Sequence, residues 1–250
     1  GPYTEALLDI INDHKALKDS SAKDLKELVM QSFAYSAQHD SHELLIHIMT
    51  KLRGELRVLK KNSSNQYTSP ILDTFLGYVT NRMTCRTCNA TFQAHDPITD
   101  LSLPIEPQHK TLKDCIDSYF RKEELPDFDC GRCGKQKKAY MQLGFEQTPK
   151  VLIVHLKRFR EYPKREKISN YIEFPMEKLE LTNIKTSEQV RYVLKGVVVH
   201  SGTVYGGHYV AYSKRNSDWF LCNDSRVEKV TAEEVANQQA YLMFYEKLEQ

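Results

Sequence analysis

The stretch YGGHYVAYSKRNSDWFLCND, residues 205–224, decides how the rest of the chain is read. Two short runs of alternating aromatic, aliphatic and polar residues, 208–213 and 218–223, flank the turn-forming Lys214-Arg215-Asn216-Ser217, which is a hairpin signal. If Ser213 pairs with Asp218, antiparallel register sets His208 opposite Asn223. Directly paired residues share a face, with Cβ atoms about 5 Å apart, so the imidazole and the carboxamide can meet through one hydrogen bond. Asp224 then faces the other way. Ahead of the histidine, Gly206-Gly207 forms a turn element without Cβ, which lets another backbone approach closely. A histidine at a strand edge, behind glycines and oriented by an amide, is one half of a nucleophile-activation system. An ordinary hairpin with a hydrogen-bonded histidine fits the same residues, so the decision passes to the rest of the chain.

The 250 residues are 40% hydrophobic and 27% charged, enough to bury a substantial core as one large domain or two small ones. A net charge of +2, with both signs spread along the chain, gives no electrostatic case for a nucleic-acid partner or an anionic membrane. No apolar run approaches the roughly 20 residues of a membrane helix, and Gly1-Pro2 opens neither a signal peptide nor a transit peptide. The chain reads as soluble and intracellular, in cytoplasm or nucleus. Four of its six cysteines form two Cys-x-x-Cys pairs, Cys85/Cys88 and Cys130/Cys133. Each pair can present two thiolates from a tight knuckle, and together they predict one tetrahedral Zn2+ built from two hairpin tips. The pairs stand farther apart than in a compact zinc ribbon, so an insertion separates the arms. Disulfides are the alternative, disfavoured by the lack of secretory features. A closed four-thiolate shell leaves no place for a catalytic water, so the zinc is expected to be structural.

Read in order, Tyr3, Ala6, Leu7, Ile10 and Ile11 fall on one helical face. A second short helix carries Leu25, Leu28 and Val29 after a cap at Ser20 or Ser21. A third starts at Asp40, with Glu43 placed for a capping box, and is expected to run to about residue 58. The entrance to it, Gln38-His39-Asp40-Ser41-His42-Glu43, is unusually polar, which solvated capping also explains. Residues 60–69 read as a polar linker, and β-formers dominate from Pro70. A helix at 111–120 places Cys115 among Leu112, Ile116, Tyr119 and Phe120, as a small core residue. VLIVHLKRF (151–159) and YVLKGVVVH (192–200) read as central strands, with His155 packed in the core. The basic loop at 160–170 reads as a solvated turn, and YLMFY (241–245) closes the sheet. The order is helices, a zinc-tipped β arm, then a mainly antiparallel sheet carrying the histidine.

Several motifs now stand in one order: Gln38 to Leu44, the two knuckles, Leu156-Lys157-Arg158-Phe159, Phe174-Pro175, His200-Ser201-Gly202, Gly207-His208-Tyr209 and Asn223-Asp224. In their joint order and spacing they resemble the catalytic domain of a ubiquitin-specific protease, a papain-like cysteine deubiquitinase. The resemblance implies an α+β hand. Residues 1–66 would form the rest of a helical thumb, 67–147 the zinc-tipped fingers and 148–250 the palm, with a ubiquitin tail threaded between thumb and palm. It also implies a general base at His208, an orienting residue at Asn223 and an assisting neighbour at Asp224. Asp40 and Glu43 would meet the incoming tail, and Gly206 and Gly207 would leave room for its glycines. The motif departs from the usual pattern at His39, Ser41 and Leu44.

The larger departure is the nucleophile. The family's cysteine box, of Gly-Asn-Thr-Cys type, has no counterpart in these residues. Four cysteines are assigned to zinc, Cys115 faces a helix core, and Cys222, one residue from Asn223, points to the opposite face of its strand. The expectation is a deubiquitinase-type thiol hydrolase whose cysteine lies on an N-terminal segment absent from this sequence, inactive alone and completed by its own N-terminal fragment or an activating protein. The alternative is an inactive ubiquitin-binding or scaffold member of the same fold. A zinc-dependent hydrolase would need an open metal position, which the four-cysteine set does not offer.

Overall fold

A computed structural model of the chain describes residues 1–15, 22–33, 39–59, 67–161 and 163–248. Gln38, the expected caps at Ser20 and Ser21, and most of the expected linker lie outside them. The chain forms two compact units, Gly1–Thr74 and Phe75–Gln250.

In the first unit, helices α1 (Pro2–Lys15), α2 (Lys23–Met30) and α3 (Ser41–Glu55) bury a small cluster of Tyr3, Val29, Phe33 and Leu52. The period of the apolar residues drives this, since Tyr3 and Ala6 sit one turn apart on α1 and both are buried. Ile11, expected on that face, is exposed. The first turn of α1 is closed by a distant residue: Glu55 at the end of α3 accepts from the amides of Tyr3 (3.0 Å) and Thr4 (2.8 Å) and from the Thr4 hydroxyl (2.7 Å). α3 stops at Glu55, earlier than expected, because Val58 is taken into a two-stranded ladder of β1 (Val58–Leu59) with β2 (Tyr67–Thr68). Where β-formers were expected from Pro70, helix α4 (Pro70–Phe75) forms instead. Ser69 accepts from the Leu72 amide at 3.3 Å, and proline suits the first helical position because it has no amide to leave unpaired.

Among the described residues the second unit has two large sheets. β3 (Gly77–Cys85), β4 (Thr91–Ile98), β6 (Glu123–Cys130) and β7 (Gly134–Gln147) form an antiparallel sheet in the order β4-β3-β7-β6. Eight strands form the other: β5 (Leu101–Pro104), β8 (Val151–Lys157), β11 (Leu179–Thr182), β12 (Gln189–Thr203), β13 (Gly206–Arg215), β14 (Asp218–Asn223), β15 (Arg226–Val230) and β16 (Ala240–Lys247). Its path is β15-β14-β13-β12-β16-β8-β5, with β11 beside β12. The continuous apolar run of β8 is buried on both faces, with Leu152, Ile153 and Val154 at most 1% exposed. Helix α5 (Leu112–Tyr119) opens on a capping box between Thr111 and Asp114 and buries Leu112, Cys115 and Ile116. β5 pairs in parallel with β8, so residues 101–104 belong to the eight-stranded sheet although they fall inside the expected finger segment 67–147. The small hairpin of β9 (Phe159–Arg160) and β10 (Glu166–Lys167) and the helical turn α6 (Ala232–Ala236) complete the unit.

Candidate active site and metal centre

The histidine hairpin forms, in a register two residues from the expected one. Arg215 pairs with Asp218 and Ser213 with Phe220, so the loop is the two-residue Asn216-Ser217. Asn216 takes a left-handed φ of 55°, a conformation asparagine tolerates and tight hairpin loops use. A shift of two residues conserves the face on which each side chain lies, where a shift of one would have inverted it. His208 and Asn223 are therefore diagonal neighbours on one face, and His208 Nε2 lies 2.7 Å from Asn223 Oδ1. A carbonyl oxygen can only accept, so Nε2 carries the proton and Nδ1 keeps its lone pair for another group.

Asp224 does not face away. It follows the last residue of β14 with φ 52°, outside the strand alternation, and its carboxylate comes to 3.9 Å from His208 Nε2. At 82% side-chain exposure it is a screened, secondary partner to the imidazole. On the other edge of β13, His208 pairs with Ser201 and Gly207 with Gly202. A Cβ on Gly207 would run into the Ser201 carbonyl and come to 2.5 Å from His200 Nε2, so the missing side chain is needed first by the chain's own packing. In the first unit, Asp40 is the N-cap of α3 and accepts from the His42 amide at 2.7 Å, with Glu43 exposed in the same first turn.

The remaining cysteines divide as their positions demand. Cys222 pairs with Ala211, on the face opposite His208, and burial raises its thiol pKa. Cys115 is fully buried and pushed up to about 11 by burial. Neither stands ready to be a thiolate.

Four thiols converge at the tips of the four-stranded sheet. Cys85 Sγ lies 3.7 Å from Cys133 Sγ, and Cys88 Sγ 3.7 Å from Cys130 Sγ, with all four sulfurs within 4.8 Å of one another. A tetrahedron with Zn–S bonds of about 2.3 Å has sulfur–sulfur edges of about 3.8 Å, whereas a disulfide would hold its sulfurs about 2 Å apart. All four are free cysteines, and the spacing fits a zinc ion. Tight turns build the knuckles: Asn89, at φ 54°, donates its amide to the Cys85 carbonyl, and Gly134 follows the second pair at φ 103°. Backbone amides of Cys88 and Thr87 draw Cys85 down to about 6, while burial and the neighbouring sulfurs push Cys133 up to about 12. Thiols drawn down beside one pushed up form a cluster that a dication would let ionise fully. Purified protein should return about one equivalent of zinc, and Cys130→Ser should lose the metal and loosen the finger tip while leaving the eight-stranded sheet folded. Metal analysis together with amide exchange checks both, and a zinc-free protein with unchanged stability would contradict them.

One residue of the basic loop was missed by the sequence reading. Lys167 is partly buried and donates from Nζ to the carbonyls of His200 (2.6 Å) and Gly202 (3.3 Å). Only its position at the end of a two-residue strand, two strands away in sequence from its acceptors, distinguishes it from the solvated lysines around it.

Residues 4–245 match the family described as ubiquitin carboxyl-terminal hydrolase. Ubiquitin carboxyl-terminal hydrolase 2 of Gallus gallus is 34% identical over 244 residues, covering 84% of this chain and 68% of that protein. Ubiquitin carboxyl-terminal hydrolase 8 of Saccharomyces cerevisiae is 33% identical over 242 residues, covering 87% and 51% respectively. Among solved structures, the SAGA Ubp8/Sgf11/Sus1/Sgf73 DUB module bound to ubiquitin aldehyde superposes with a TM-score of 0.85 at 31% identity, over 99% of this chain and 60% of the other. The α+β fold is that of a ubiquitin-specific protease domain, and the chain belongs to the ubiquitin carboxyl-terminal hydrolase family. It spans between about half and two thirds of these relatives.

Proposed function

We propose that the chain is part of a thiol hydrolase that cleaves the bond after the C-terminal glycine of ubiquitin, with the nucleophilic cysteine supplied from outside these 250 residues. The observation that carries this is the 2.7 Å contact of His208 Nε2 with Asn223, which leaves Nδ1 as a lone-pair acceptor. In this reading Nδ1 takes the proton of the incoming thiol, the thiolate attacks the terminal glycine carbonyl, and the imidazolium returns the proton to the leaving amine. Asn223 holds the ring and its tautomer, and Asp224 adds a weaker, solvent-screened attraction for the imidazolium. In the first unit Asp40 and Glu43 at the start of α3 are read as contacts for a ubiquitin tail, and in the second unit Gly206 and Gly207 are separately read as leaving room for its glycines. One Zn2+ on Cys85, Cys88, Cys130 and Cys133 serves structure alone. The support for ubiquitin as partner is the family and a superposable relative that binds ubiquitin aldehyde. A reducing compartment, cytosol or nucleus, suits four clustered free thiols. No helix among the described residues is long and apolar enough to cross a membrane.

The test is hydrolysis of a ubiquitin C-terminal fluorogenic amide by protein that carries the cysteine. There, Asn223→Ala should lower kcat by about a hundredfold with little change in KM, because orientation of the base is lost and tail contacts are not. Asp224→Ala alone should cost little, and more when combined with Asn223→Ala. A KM effect without a kcat effect would place Asn223 in binding instead.

A further inference from the structure

The strand β12, which pairs with the His208 strand, is held near Ser201 by a group that the reaction does not use. We propose that Lys167 is a positioning residue for His208, its ammonium pinning the end of β12 on which β13 is laid. The proposal rests on the reading of His208 as the general base.

Lys167 donates to the carbonyls of His200 and Gly202. These two residues bracket Ser201, the direct partner of His208 across the β12–β13 ladder. Glycines bring the two strands close at this end of the ladder. Gly202 sits at φ 120°, a conformation other residues rarely adopt, and a Cβ on it would come to 2.5 Å from the Gly206 carbonyl. His200 packs here against Phe159 and Tyr209, and the two hydrogen bonds from one cation add a polar restraint on the backbone either side of Ser201.

The lysine is itself well anchored. Opposite it in the β9–β10 hairpin stands Phe159, and the amide of the next residue, Ile168, donates to the Arg158 carbonyl at 2.7 Å. The Arg158 guanidinium, 1% exposed, donates to the carbonyls of Ile168 (3.0 Å), Asn170 (2.8 Å) and Ala240 (2.6 Å). Burial and the nearby Arg158 charge hold the Lys167 pKa below its ordinary value. Two cations so placed repel, and the hydrogen bonds they make go to backbone carbonyls, which carry position and no countercharge. A second contact joins the same parts: the Arg165 guanidinium lies 5.5 Å from the ring centre of Tyr205, in the turn between β12 and β13. The chain of contacts thus runs from a buried arginine, through the segment 167–170, to the strand beside the base.

The experiment compares Lys167→Met with Lys167→Arg in zinc-loaded protein that carries the nucleophilic cysteine. Lys167→Met should speed amide exchange at Gly207 and His208 by about tenfold or more and shift the His208 imidazole resonances, with zinc content and exchange in the four-stranded sheet unchanged. Its kcat should fall by about a hundredfold, the scale of a 1 Å misplacement, with KM within about twofold. Lys167→Arg, which keeps charge and donors, should recover most of both effects. If Lys167→Met fails to fold, Lys167→Gln is read in the same way. Unchanged exchange and imidazole signals in Lys167→Met, or an arginine variant no better than methionine, overturn the proposal. A wild-type protein without turnover sinks the general-base reading, while the exchange measurements still decide whether Lys167 positions the hairpin.

Discussion

Replacing His208 by alanine, in protein that carries the nucleophilic thiol, lowers kcat/KM for a ubiquitin C-terminal amide by about three orders of magnitude at neutral pH. The size follows from the base's two duties. It takes the proton from the thiol before attack and returns it to the leaving amine afterwards, so both steps lose their catalyst together. The loss should shrink as pH rises toward about 8.5, where an unassisted cysteine ionises by itself. Stability is not expected to follow activity, because the imidazole is 48% exposed and its removal opens no cavity. Ubiquitin affinity should also survive, since the ring orients chemistry and not the body of the ligand. A His208→Ala protein that keeps its activity at neutral pH, or loses it only by unfolding, would contradict this reading. Comparing pH–rate profiles with melting curves separates the cases.

The face of the hairpin was legible in the sequence and its register was not. Alternation within residues 208–213 and 218–223 fixes which side chains share a face, and that rule is indifferent to a slip of two residues. The loop length was misjudged because Lys214 and Arg215 look like turn residues while Asn216 alone supplies the left-handed φ. Asp224 was misplaced for a related reason: alternation was extended one residue past the strand, into a turn at φ 52°. The four-cysteine cluster was legible because Cys-x-x-Cys spacing is a local property of a knuckle. β5 was not, since a four-residue strand declares its partner only through contact with β8, about fifty residues later. α4 had a readable start, Ser69 followed by Pro70, masked by the β-rich residues after it. Lys167 lay inside a run of charges, and its role depends on carbonyls more than thirty residues away, which no charge pattern encodes.

The second large effect is the separation of binding from turnover. None of the six cysteines is free to serve His208: four converge at the finger tips, Cys115 is sealed in the core, and Cys222 lies on the other face of its strand. These 250 residues alone should therefore hydrolyse nothing measurable, while any affinity they have for ubiquitin is untouched by the lack of a nucleophile. Adding a fragment that carries the family's cysteine box should restore turnover in proportion to the complex formed, and the same fragment should do nothing for His208→Ala. The central claim, that His208 and Asn223 serve a thiol from outside this sequence, is tested most directly by following cleavage of a ubiquitin C-terminal fluorogenic amide by the chain alone and with that fragment. The account predicts no cleavage in the first case and His208-dependent cleavage in the second. Turnover by the chain alone that disappears with Cys222→Ser or Cys115→Ser would contradict it, as would the absence of rescue by a fragment that binds.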